Sequence, residues 1–298
     1  MRIAIGYLYP SVMSQYGDRG NVLTLCERSR RRGIEAEVVP LELGDPVDPD
    51  RVDVLLMGGG ADTQQRLVAE DLVGTKGEGL RQAVEEGVAL LAVCAGYQLL
   101  GHFYLAADGT RLPGVGIFDA HTVHRAAEIG ARMESITAAG QVRAVGNVVV
   151  RREGMELVGF ENHGGRTYLH PGAQPLGEVV VGRGNNGEDG TEGCVVAGAI
   201  GTYLHGPVLP KNPALADRLL ASALGHRCGE VPPLHPLADA AEKAAHDVAV
   251  ARALSGDRRS PVALRRRSGG ARPWPGTERT ARLSGPGARS ARRHRPPG

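Results

Sequence analysis

Aromatic residues are scarce in this chain of 298 residues: three Phe, one Trp and seven Tyr, 4% of the total. A surface that stacks single-stranded nucleic acid needs successive aromatic rings, so that class is disfavoured. Lysine occurs three times against 32 arginines, none of them in the glycine run 58–60, and no glycine stretch has the lysine at phosphate-loop spacing. A G-x-x-x-x-G-K-S/T phosphate loop is therefore excluded. Cysteine is limited to Cys26, Cys94, Cys194 and Cys228, with no C-x-x-C pair. Four such residues make neither a disulfide framework nor a spaced metal-ligand set. No metal site is expected, and a reducing cytoplasm is the expected compartment. No apolar run approaches the roughly eighteen residues of a spanning helix, so no membrane span is expected. Residues 1–6 are too short for a signal-peptide core and read as a first buried strand.

The formal net charge of +2 hides a split. Residues 257–298 hold twelve arginines against two acids, which leaves 23 basic and 31 acidic residues in 1–256 and a net charge of −8 there. The body is acidic, and its charge offers no case for nucleic-acid or membrane binding. The Arg/Gly/Pro-rich segment 257–298 lacks apolar periodicity and is expected to be disordered. The chain thus divides into a body, 1–256, and a tail, 257–298.

Hydrophobic residues make up 42% of the chain, enough for a sizeable core. Strands are predicted over 2–7, 35–41, 52–57 and 88–93, with helices over 20–32, 76–87 and 95–104. Asp18 is a candidate cap for the first helix, Gly33 its stop, and Gly87 ends the second. Residues 88–93, Val-Ala-Leu-Leu-Ala-Val, are continuously apolar, the pattern of a strand covered on both faces. This alternation predicts an α/β fold with a mostly parallel sheet. Strands at 115–117, 144–151, 157–161, 178–182 and 194–204 then suggest an antiparallel extension of the same sheet. Helices are expected over 213–224 and 236–254. In the second, Leu237, Ala241, Ala244, Val248 and Leu254 form the expected packing stripe.

Chemistry concentrates at the strand ends. Cys94 follows the buried strand and precedes Ala95-Gly96-Tyr97-Gln98. A nucleophile on a sharp strand-to-helix turn sits above the carboxyl edge of the sheet, where open α/β sheets bind ligands. The helix start favours a thiolate. A buried core cysteine is the bland alternative. Strand 52–57 ends in Gly58-Gly59-Gly60, a loop whose N–H groups suit an oxyanion. A base must reach Cys94. Spacing favours His205, which ends another apolar strand, over His163. His121 and His124 are weaker, and His102, His226 and His235 read as surface or helix residues.

Cys94 with Gln98 four residues on, the upstream glycine loop and the downstream Tyr203-Leu204-His205-Gly206-Pro207 resemble class I glutamine amidotransferases. The likeness is to the branch that includes cobyric acid synthase. Three further segments narrow it: Tyr16-Gly17-Asp18-Arg19-Gly20-Asn21, Glu161-Asn162-His163-Gly164-Gly165-Arg166-Thr167 and the loop 184–193. With these, residues 1–225 are similar to the GatD family, the glutaminase subunits of lipid II isoglutaminyl synthases.

The resemblance implies a flavodoxin-like fold and release of ammonia from L-glutamine. It implies Cys94 as nucleophile, His205 as general base, and backbone groups of Gly59, Gly60 and Ala95 as the oxyanion hole. Gln98 would line the glutamine pocket, and Arg143, just before Val145-Gly146-Asn147, would bind the substrate. An arginine suits a carboxylate because its planar fork makes two charge-assisted hydrogen bonds. The implied partner is a MurT-like synthetase of the Mur-ligase family, forming a heterodimer. It would hold the lipid II acceptor and carry ATP and Mg; this chain would hold no cofactor. The alternatives are a glutaminase subunit for a cobyrinic-acid-type or other small-molecule amidotransferase and, from another class, a non-catalytic assembly subunit. Two departures stand out. Pro207 occupies the place where many class I members have a Glu that completes a triad, which leaves a Cys–His dyad, an orienter from the partner subunit, or an internal one such as Glu161 or Asp119, unranked. Ala95 stands where Gly is frequent.

Overall fold

The computed structural model describes residues 1–14, 17–128 and 143–256. Its central sheet comprises β1 (Arg2–Leu8), β2 (Glu35–Leu41), β3 (Val54–Met57), β4 (Ala89–Val93), β13 (Cys194–Val196) and β14 (Ala199–Thr202). The strand order is β13-β14-β4-β3-β1-β2. Every neighbouring pair is parallel except β13 with β14. All residues of β3 and β4 are buried, as a sheet covered on both faces requires.

Helices Arg19–Arg30, Gly77–Glu86 and Pro213–Cys228 accompany the sheet. The helix Gly77–Glu86 ends at Gly87 with φ +95°, as expected from its glycine stop. Arg28, buried, donates to Asp217 Oδ1 at 2.6 Å and to Asp239 Oδ2 at 2.6 Å. These bonds tie the first helix to the C-terminal helical region.

The later strands depart from expectation. The antiparallel extension of the central sheet is the single strand β13. The strands β5 (Phe103–Leu105), β6 (Arg111–Pro113), β7 (Ala120–His124) and β10 (Gly165–Leu169) make a separate sheet, ordered β10-β7-β5-β6. A third sheet, β12-β11-β8-β9, is built from β8 (Ala144–Arg152), β9 (Met155–His163), β11 (Gly177–Val181) and β12 (Thr191–Glu192). The helix expected over 95–104 stops at Leu99. A Cβ on Gly101 would lie 2.7 Å from the Ala120 carbonyl oxygen, so the chain leaves the helix to pack against the start of β7. Residues 115–117 form a loop, pinned by Val115 N–H to Leu99 O at 3.0 Å. The strand expected over 194–204 folds into a hairpin at Ala197, where φ is +49°.

The terminal helix spans Ala240–Gly256 and buries Val250 and Ala253 against Val149, Val158 and Val181. The expected stripe is overturned: Val248 and Leu254 are exposed. No described helix is long and apolar enough to cross a membrane. The tail, 257–298, lies outside the described residues.

Candidate active site

Because β1, β3, β4 and β14 are parallel, their carboxyl ends share one edge of the sheet. Val93 pairs with Thr202, and the Cys94 N–H donates to the Thr202 carbonyl at 2.8 Å. The residues that follow β14 therefore emerge beside Cys94. Cys94 itself has φ +52° and ψ −106°. A side chain in this left-handed region is strained by about 1–3 kcal/mol and persists only where the surroundings over-determine it. Here the sheet fixes one side, and the short helix Ala95–Leu99 fixes the other, starting with Gln98 N–H to Cys94 O at 2.9 Å. Gly96 permits that turn: a Cβ there would sit 2.9 Å from Met57 Cγ and 3.0 Å from Gly58 O.

One position shows how close the parts come. A Cβ on Gly59 would lie 3.2 Å from His205 Cε1, 3.3 Å from Asp18 Oδ2 and 3.4 Å from Cys94 Cβ. His205 is buried, and its backbone is locked by reciprocal bonds with Phe160 at 2.9 and 3.1 Å. Burial pushes the His205 ring's pKa down. The negative charge of Cys94, a hydrogen bond to Cys94 and the Asp18 carboxylate outweigh this and raise it to about 10. His205 is thus held toward its protonated form beside the Cys94 sulfur. Cys194, buried in β13 of the same sheet, has a thiol pushed up to about 12 by burial.

Asp18 is the residue that sequence reasoning misplaced. It makes no side-chain cap bond to the first helix. Its Oδ2 accepts from Gly59 N–H at 2.7 Å, and its Oδ1 lies 3.6 Å from His205 Nδ1. The signal available was an acid in a glycine-flanked turn after a buried strand, which also fits a cap. Neither candidate orienter serves His205. Glu161 accepts from the N–H groups of Arg183 and Gly184, and exposed Asp119 is paired with His102 and His170.

The Gly59 N–H is occupied by Asp18, Ala95 directly follows Cys94, and a Cβ on Gly60 would lie 2.6 Å from Met13 Sδ and 3.1 Å from Gln64 Cβ. Gln98 is buried: its Oε1 accepts from Gln65 Nε2 at 2.6 Å, and its Nε2 donates to Tyr203 Oη at 3.1 Å. It braces the wall beneath Cys94. Tyr203 also exchanges a 2.6 Å bond with Thr167 and stacks on His163, with ring centroids 3.6 Å apart. Burial holds the His163 pKa well below the usual range, and nearby Arg166, His205 and Arg143 reinforce it. His163 is therefore a neutral wall residue. Arg143 sits on the rim just before β8, exposed. It donates to Asn162 Oδ1 at 2.9 Å and Asn162 O at 3.0 Å. The loop 184–193 packs inward: Thr167 N–H bonds Asn185 O at 2.9 Å, and Tyr97 Oη donates to Asn185 Oδ1 at 3.2 Å.

Chemically, the junction offers a cysteine sulfur, an imidazole at its side, an acid behind the imidazole and a glycine beside all three. That set suits acyl transfer through a thioester. Among the described residues, His102, Asp119 and His170 form a metal-capable group outside it.

The family model for the CobB/CobQ-like glutamine amidotransferase domain matches residues 4–213. The chain is 39% identical over 222 residues to the lipid II isoglutaminyl synthase (glutamine-hydrolyzing) subunit GatD of Staphylococcus aureus, covering 74% of this chain and 84% of that protein. It is 35% identical over 231 residues to the GatD subunit of Streptococcus pneumoniae, covering 77% and 83%. A cobyric acid synthase of Pelotomaculum thermopropionicum is 33% identical over 133 residues, 43% of this chain but 24% of that protein.

Proposed function

The chain belongs to the CobB/CobQ-like glutamine amidotransferase family, and from that premise we propose that it is the glutamine-hydrolysing subunit of a lipid II isoglutaminyl synthase. The two GatD relatives match it over most of both lengths, while the cobyric acid synthase match covers a quarter of the larger protein. The observation that carries the chemistry is the convergence of Cys94, His205 and Asp18 around Gly59.

The Cys94 thiolate attacks the side-chain carbonyl carbon of glutamine. Backbone N–H groups of Gly60 and Ala95 face the developing oxyanion. The Gly59 N–H, held by Asp18 in the resting state, joins them if that bond is released. The His205 imidazolium protonates the departing amine, and ammonia leaves a glutamyl thioester. Acylation removes the thiolate charge that lifts His205, so its pKa falls and the ring becomes a base for water. Water then releases glutamate and restores the thiolate. Asp18 holds the ring's orientation throughout, in the place left vacant by Pro207. Arg143 binds the α-carboxylate of glutamine from the rim.

Ammonia passes to a MurT-like partner, which uses ATP to activate the α-carboxyl of D-glutamate in the lipid II stem peptide. The deciding experiment measures ammonia release from glutamine by the complex with this partner. Cys94→Ala and His205→Ala each reduce it by about 1,000-fold or more. Wild-type release from either variant overturns the assignment. The body 1–256 carries this activity, so removal of 257–298 leaves hydrolysis unchanged.

A further inference from the structure

We propose that His102, Asp119 and His170 form a surface site for one divalent transition-metal cation of the zinc type. The three come from separate segments: His102 before β5, Asp119 before β7, and His170 after β10. Their offered ligand atoms all lie within 4.8 Å of one another. His102 Nε2 and His170 Nδ1 each stand 2.8 Å from the same oxygen, Asp119 Oδ1. The two imidazoles stack with centroids 5.1 Å apart and 18° between planes, so both aim a nitrogen at one carboxylate.

Three features make this a prepared group. The His170 N–H donates to the Asp119 carbonyl at 2.9 Å, and the His102 N–H donates to Ala120 O at 2.8 Å. Both ligand histidines are thereby tied by backbone to the segment that carries the carboxylate. His170 Nε2 then meets His121 Nδ1 at 3.0 Å. A metal-bound histidine usually places its second ring N–H on an acceptor, which fixes tautomer and orientation. His121 is placed to be that acceptor when His170 Nδ1 holds the ion.

Zinc binds imidazole nitrogen and carboxylate oxygen at about 2.0–2.2 Å, with ligand atoms about 3.3 Å apart in a tetrahedron. The two His–Asp119 distances reach that spacing by opening about half an ångström. Two imidazoles with one carboxylate select zinc, nickel, copper or iron over calcium and magnesium. Three protein ligands leave a fourth position for water. None of these residues belongs to the Cys94 junction, so the site and the glutaminase reading stand or fall separately.

The test is titration of the full-length, tag-free chain with zinc by calorimetry, and with cobalt(II) by visible absorption. One ion binds per chain, with micromolar or tighter affinity. The melting temperature rises by about 5 °C at a hundredfold excess over Kd. His102→Ala and His170→Ala each weaken binding at least about tenfold, Asp119→Asn does likewise, and His235→Ala does not. Binding that survives both histidine variants overturns the proposal. So does binding no tighter than millimolar, or a cobalt spectrum dominated by thiolate charge transfer, which would place the ion on exposed Cys228.

Discussion

Asp18 faces His205 at 3.6 Å with side chains only 2% and 3% exposed, whereas Asp119 meets His102 and His170 at 2.8 Å with its own side chain 54% exposed. The shorter contact is the weaker one electrostatically. Water screens the surface group, and exposed pairs of this kind contribute about 0–1 kcal/mol. The buried pair acts in a medium of low effective dielectric, where charge is felt several times more strongly. Cys94 first and Asp18 with it act there, and together they raise the His205 pKa to about 10 despite burial that opposes its charge. Interaction strength here follows surroundings ahead of distance.

The sharpest test of this contrast is Asp18→Asn. Loss of the carboxylate removes the acid behind His205, and kcat/KM falls about 100-fold or more. Because the carboxylate raises the His205 pKa, its removal lets the ring lose its proton at lower pH. The alkaline limb of the pH profile, near pH 10 in the wild type, therefore moves downward. An unshifted limb would show that Cys94 alone sustains the imidazolium.

Arg143 lies on the exposed side of the comparison. The charge-assisted bond proposed between it and a substrate carboxylate would be worth about 1.5–3 kcal/mol. Arg143→Ala then raises the KM for glutamine by about 10-fold or more with kcat little changed. An unchanged glutamine dependence removes Arg143 from the pocket.

Glu192 extends the buried side. It is fully buried, accepts from Tyr203 N–H at 2.6 Å, and burial raises its pKa from 4.5 to about 8. The folded state binds this proton more tightly than the unfolded chain does. The stability it contributes is full below pH 4.5 and is lost as pH rises through 8. Denaturant titrations should show Glu192→Gln flattening a slope of at most about 1.4 kcal/mol per pH unit in that window. The smallest effect belongs to Asp119→Asn in metal-free buffer, where chemical denaturation should register a change under about 1 kcal/mol. A larger loss would mean that the surface group is not screened as its exposure implies.

Much of the site is legible in local sequence because strand ends are local. The apolar run into Cys94, the glycine triplet after Met57 and the histidine after Leu204 each mark where a buried strand meets the edge. Parallel pairing then brings those edges together. Asp18 was not legible, since an acid before a helix equally satisfies a cap, and only the packing of the segment after β1 against Gly59 sends its carboxylate elsewhere. The separate sheets were missed for a similar reason. Residues 100–124 read as helix and isolated strand until Gly101 is seen to pack against the Ala120 carbonyl.

The sequence alone determined the α/β architecture, the buried strand β4 and the cysteine at its end, because apolar periodicity and glycine stops act over a few neighbouring residues. Tertiary structure decided which acid stands behind His205, that Glu161 and Asp119 do not, and that His102, Asp119 and His170 converge. Those choices depend on contacts between segments 17 to 187 residues apart, which no local pattern encodes.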